Sequence, residues 1–213
     1  MKKGFTIVMI LLLVALVSLR LYRFYEEQSH QQEREKLEQL YNEALEGKIP
    51  SSTKVEEQVF GRIMIPSLDI QYIILNKTTD ENLDISITKV TGPAIHQKGN
   101  LVLAGHNMKN GSFFGKLTNI NKSDKIILED QTGKKMEYVM IDKYIVDESD
   151  LSPLSQDEQS ESMLTLITCT DNPDQRLIVV GQATGTKGTG TLARFPVPVT
   201  PQVLELKKIL KRK

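Results

Sequence analysis

Hydropathy divides this chain into three stretches with different patterns. From Phe5 to Leu19 almost every position is apolar, behind Lys2 and Lys3. Those fifteen residues make a helix of about 22 Å, short of the roughly 30 Å hydrocarbon core of a bilayer. Extension to Tyr25 gives 21 residues and about 32 Å, with Arg20 and Arg23 snorkelling and Tyr22, Phe24 and Tyr25 in the interface. Ala15-Leu16-Val17 is a poor small-x-small cleavage site. The pattern therefore predicts an uncleaved single-pass anchor over residues 1–25 rather than a removed signal peptide. Two lysines and the amine stand against two arginines, so flanking charge hardly decides the orientation. The N-terminus is placed inside and the body outside the cell, where an exposed thiol has chemistry to do.

A polar helical stretch follows. Leu37, Leu40, Tyr41, Ala44 and Leu45 recur at i, i+3 and i+4 among Glu, Lys and Arg, and two heptads are too few for a coiled coil. Residues 26–55 are read as a solvated stalk, with Pro50-Ser51-Ser52 ending the helix.

The body then changes to short β runs. Candidate strands are Gly61–Ile65, stopped by Pro66, then Asp69–Leu75, Asn100–Ala104 and Lys125–Asp130. Gln131-Thr132-Gly133-Lys134 turns the chain into Lys135–Ile141, with Lys143–Val146 continuing or pairing separately. Leu164–Thr168 and Leu177–Ala183 complete about eight strands, a number that suits a closed barrel or a sandwich. Ser112–Leu117 is expected to form a helical turn that plugs the core with Phe113 and Phe114. After Ala183 come a Gly/Thr linker, a segment with three prolines that cannot be a central strand, and a basic end. Residues 187–213 are read as a flexible basic tail.

Charge narrows the function classes. The chain of 213 residues is neutral overall, with 27 basic and 27 acidic side chains. Residues 26–186 hold 16 basic against 26 acidic, a net of about −10. An acidic body argues against nucleic-acid binding, which uses a basic face. The Asp147–Ser162 connection is long and acidic, so calcium there is an option, although its spacing matches no calcium loop. No other cofactor is implied.

Cys169 is the only cysteine, so no intramolecular disulfide can form and a free reactive thiol is the reading to weigh against a buried core residue. It ends the apolar run Leu164–Thr168. His106 ends the run Leu101–Ala104 after Gly105, and Arg176 opens the run Leu177–Gly181. Three strand ends thus supply a nucleophile, a proton carrier and a cation for substrate or oxyanion, the set needed for acyl transfer through a thioester. An unperturbed thiol near pKa 8.5 is only about 3% thiolate at pH 7, so it needs an imidazole beside it. His30 lies in the stalk; His106, after a strand and Gly105, can sit at a barrel rim and takes the acid/base role, with His96, in a loop before Lys98-Gly99, as the alternative. The competing reading of Arg176 is a surface residue paired with Asp171 or Asp174, worth under about 1 kcal/mol.

Thr165-Leu166-Ile167-Thr168-Cys169 resembles the TLxTC signature of the sortases, cysteine transpeptidases of Gram-positive cell walls. Ala104-Gly105-His106 is similar to the segment bearing the sortase histidine, and Arg176 to the sortase arginine. The likeness runs from about Val59 to Gln182, within a catalytic domain drawn at 56–186. It implies an all-β fold: a closed eight-stranded barrel with short helices, behind an N-terminal transmembrane helix and stalk. It also implies that Cys169 attacks the Thr–Gly carbonyl of an LPXTG-like sorting signal on a surface protein. His106 moves the protons, Arg176 holds substrate or oxyanion, and Ala104 and Thr168 line the peptide groove. An amine of a peptidoglycan precursor then receives the acyl group at the outer face of the cell membrane. The anchor, the short Cys169–Arg176 interval and the lack of an aromatic lid look more like class A than the pilin-polymerising type. The basic tail is a departure from the family pattern. Two other readings use the same sequence: a membrane-tethered cysteine peptidase with water as acceptor, and a non-catalytic surface binding module with an inert Cys169.

Overall fold

The computed structural model describes residues 2–48, 57–156 and 161–184. The chain divides into two units, 1–36 and 37–213. The described residues of the first, 2–36, belong to helix α1, which runs Lys2–Leu45. Its apolar side chains between Phe5 and Tyr25 are exposed. A window of this helix reaches a mean hydropathy of 2.4, so it is long and apolar enough to cross a membrane.

The second unit is a closed barrel. Its strands are β1 (Val59–Ile65), β2 (Ile70–Leu75), β3 (Ile87–Thr91), β4 (Gly99–Ala104), β5 (Lys125–Asp130), β6 (Lys135–Asp147), β7 (Ser162–Cys169) and β8 (Gln175–Ala183). They close in the order β1-β2-β3-β4-β7-β8-β6-β5. Only β2/β3 and β4/β7 pair in parallel, and each parallel step needs a crossover. For β2/β3 that crossover contains the short helix α2 (Asp80–Ile85).

Eight strands form among the described residues, as many as the sequence suggests, but the two sets differ. Lys135–Asp147 is one strand, because a register shift between Met140 and Asp142 lets it bend and continue along β8. The place of the extra strand is taken by Ile87–Thr91, which has only two buried residues and is in register with β2 at just two positions. Phe113 and Phe114 are buried in the core as expected. The helical turn comes after them, at Leu117–Asn119.

The stalk reading of 26–55 needs one correction. From Leu37 onward it is not a solvated stalk: Leu37 and Tyr41 are buried with Val59, Ile73, Leu75 and Ile85. Tyr41 is 1% exposed, and its hydroxyl donates to the carbonyls of Glu129 (3.2 Å) and Asp130 (2.7 Å). Burial, and then the charge of Glu129, raises the Tyr41 phenol above its ordinary pKa. The i, i+3, i+4 stripe of apolar residues is therefore a packing face. Residues 49–56 and the proposed tail at 187–213 lie outside the described residues.

Strands β4 and β7 form the wall that carries the site. Every residue of β4 and all but the last of β7 are buried, as befits parallel neighbours covered on both faces. Leu101, Leu103, Leu164 and Leu166 face the barrel interior. Val102, Met163 and Ile167 pack outward against Ile178, Val180 and Leu154. Leu154 comes from the β6–β7 connection, which Asn100 fastens down. The fully buried Asn100 side chain donates to the carbonyls of Pro153 (3.0 Å) and Ser155 (3.1 Å) and accepts from the Thr165 hydroxyl (2.7 Å). Asn100→Ala strips three buried groups of a partner, and we expect a loss of about 3 kcal/mol by chemical denaturation. Thr165→Val, which removes one bond, should cost about a third as much.

Candidate active site

In parallel register, Ala104 of β4 stands beside Ile167 of β7, so both strands deliver the residues that follow to the same rim. Strand β8 runs back from that rim with Arg176 opposite Cys169. The next links are specific. Gly105 N–H donates to Ile167 O (3.2 Å), and the Thr168 hydroxyl donates to Gly105 O (2.7 Å). Position 105 is tight: a Cβ there lies 2.4 Å from Ile87 Cδ1 and 2.9 Å from Phe114 Cδ2, so one of those side chains must shift to admit it. This close approach lets β4 end against the core and turn His106 out at the rim.

His106 and Cys169 share one cleft of about 150 Å³, lined also by Asn107, Met108, Thr170, Asp171 and Pro173. Cys169 is half-buried, and its carbonyl accepts from Asn107 Nδ2 at 3.0 Å. The imidazole of His106 meets Phe113 edge to face, at 6.2 Å between centroids and 74° between planes. Its Nε2 lies 3.1 Å from Asp84 Oδ1. Phe113 holds a left-handed φ of 53°, and the chain around it is pinned by Phe114 N–H donating to His106 O (3.0 Å).

Arg176 is 4% exposed, so it is not the surface residue of the competing reading. Its partner is Glu148 (Nη2 to Oε2, 3.2 Å), not Asp171 or Asp174. Nη1 donates to the carbonyls of Pro173 (2.6 Å) and Gln175 (2.9 Å). The guanidinium thus braces the β7–β8 turn that forms one side of the cleft. Ala104, Thr168 and Arg176 are buried and are not among the residues lining this cleft.

The other histidines are elsewhere. His30 lies in α1. His96 precedes β4 and pairs with Asp130 at 3.0 Å, at the end of β5 on the opposite rim. Burial opposes ionisation of Asp130, but hydrogen bonds from Thr132 and Lys134 and the charge of His96 outweigh it and lower its pKa. Among the described residues, no three His, Cys, Asp or Glu side chains are grouped to hold a metal ion. Residues 157–160 of the acidic connection lie outside them.

Three residues of this site escaped the sequence reading: Asp84, Asn107 and Glu148. Asp84 and Glu148 reach their partners across 22 and 28 positions of chain, with no local pattern to mark them. Asn107 directly follows His106, and that adjacency was an available signal.

A family model, the sortase domain, matches residues 63–184. Sortase A of Listeria monocytogenes is 32% identical over 147 residues, covering 63% of this chain and 64% of that protein. Sortase A of Bacillus anthracis is 32% identical over 146 residues, covering 66% and 67% respectively. The chain thus matches about two thirds of the length of these relatives. The crystal structure of Listeria monocytogenes sortase A superposes with a TM-score of 0.55 at 28% identity, covering 73% of this chain and 99% of that one. The chain belongs to the sortase family.

Gly105→Ala tests how the rim is built. We expect a loss of about 1–3 kcal/mol from overpacking against Ile87 and Phe114, read by thermal denaturation, with Cys169 alkylation by iodoacetamide slowed as His106 is displaced.

Proposed function

We propose that this protein is a membrane-anchored cysteine transpeptidase that fixes surface proteins to the cell wall. The observation that carries the reading is the shared cleft of Cys169 and His106. The sortase A relatives support it, and the exposed apolar helix supports the anchor. The N-terminus faces the cytoplasm and the barrel works outside.

The reaction follows from the residues. His106 takes the thiol proton, and the Cys169 thiolate attacks the threonine carbonyl of an LPXTG-like signal. The tetrahedral intermediate collapses as the Thr–Gly C–N bond breaks, and His106 returns the proton to the departing glycine amine. A thioester remains on Cys169. An amine of a peptidoglycan precursor attacks it, His106 accepts the amine proton, and the thiolate leaves. No step draws on a cofactor. Arg176, opposite Cys169 in the strand register but outside the cleft lining, is the cation we assign to the developing oxyanion or the bound peptide. Glu148 and two turn carbonyls hold it in place. Ala104 and Thr168 form the floor under the peptide groove, with the Thr168 hydroxyl tying β7 to the end of β4.

The test uses the full chain in detergent with a fluorogenic Leu-Pro-Glu-Thr-Gly peptide, with and without triglycine. Transpeptidation predicts a ligated product that needs triglycine and is lost in Cys169→Ala and His106→Ala. Arg176→Lys keeps the charge but not the planar fork, and its kcat is expected to fall by about 100-fold or more. A product containing only the hydrolysed peptide, however much triglycine is present, makes the protein a peptidase. A wild type that binds the peptide and leaves it uncut makes it a binding module.

A further inference from the structure

Asp84 occupies a position that its helix disfavours. It lies in the last turn of α2, where a carboxylate meets the negative end of the helix dipole. Asp80 and Glu81 take the favourable first turn. Packing does not explain Asp84 either, since its side chain is 44% exposed, whereas that of His106 is 15% exposed. What Asp84 does meet is the imidazole, Oδ1 to Nε2 at 3.1 Å.

The helix carrying Asp84 is firmly placed. The Thr79 hydroxyl caps it by accepting from Asn82 N–H (3.1 Å). Leu83 and Ile85 are buried, and the Ser86 hydroxyl donates to Ile73 O (2.7 Å). The ring of His106 is therefore fixed by a carboxylate on a capped helix and by the edge-to-face contact with Phe113.

The geometry points to Asp84 as a positioning residue for His106, holding the imidazole with its hydrogen on Nε2 so that Nδ1 exchanges the proton in the cleft. A carboxylate oxygen only accepts, so the shared hydrogen belongs to the ring, and in the neutral imidazole the other nitrogen is then the base. When Nδ1 takes the thiol proton, the same carboxylate faces the imidazolium that forms, as in other nucleophile–base–acid arrays. The helix accepts an unfavourable charge at its C-terminal end in return for this hold on the ring. The inference rests on the proposed role of His106 as proton carrier.

The experiment compares the full-length wild type with Asp84→Ala, Asp84→Glu and His106→Ala in detergent. The readouts are kcat and KM with the Leu-Pro-Glu-Thr-Gly peptide, Tm, and the ¹⁵N resonances of the His106 ring. We expect an Nε2–H signature in the wild type, and we expect Asp84→Ala to lose it, to lower kcat by about 10–100-fold with KM within about twofold, and to keep or raise Tm. Asp84→Glu should recover part of the rate. A kcat within about twofold of wild type in Asp84→Ala, beside an inactive His106→Ala, overturns the role of Asp84 alone. A fall in Tm that accounts for the lost activity, or a wild-type ring protonated on Nδ1, overturns it as well. An active His106→Ala overturns the underlying reading of the site instead.

Discussion

The parallel pairing of β4 with β7 is the constraint on which the rest depends. Six consecutive residue pairs, from Gly99↔Ser162 to Ala104↔Ile167, hold the two strands in one register. A slip of one residue exchanges the interior and exterior faces of a strand. It would drive Leu164 and Leu166 out of the barrel and carry Cys169 away from the end of β4. Both faces of this wall are apolar and covered, so the register is enforced twice. The polar links Thr165–Asn100 and Thr168–Gly105 add direction to what hydrophobic burial alone leaves loose.

From that wall the site is built outward by short connections. Gly105 allows the chain to end against Ile87 and Phe114. Asn107 ties the segment after β4 to the Cys169 carbonyl. On the far side, Arg176 is buried and shares its charge with Glu148. A guanidinium taken out of water needs such a partner, because the desolvation cost is otherwise uncompensated. The pair also binds the β6–β7 connection to the turn after Cys169, where Glu148 N–H donates to Asp174 O at 2.8 Å. The acidic connection thus belongs to the support of the site, through one of its carboxylates.

What the sequence disclosed followed from how local its signals were. β4, β7 and β8 are legible because strands buried on both faces read as unbroken apolar runs, and Cys169, His106 and Arg176 stand at their ends. β3 is not legible, since five residues with two buried positions give no pattern. Neither is the break inside the long β6, where a bulge rather than a turn bends the strand. The apolar stripe at Leu37 and Tyr41 was visible, but its surface on the barrel was not, because that surface exists only once β1, β2 and α2 come together. The residues that hold the site, Asp84 and Glu148, are fixed by tertiary structure alone. The sequence pointed to Cys169, His106 and Arg176 and left the residues that contact them unmarked.

Intact-mass spectrometry of the full chain, acid-quenched within seconds of mixing with an LPXTG peptide, decides whether Cys169 carries the acyl group. Acyl transfer through a thioester predicts a species heavier by the peptide through its threonine, attached at Cys169, sensitive to hydroxylamine and absent from Cys169→Ala. Cleavage of the peptide between Thr and Gly by a protein that never carries that mass, or that still cleaves as Cys169→Ala, would contradict it.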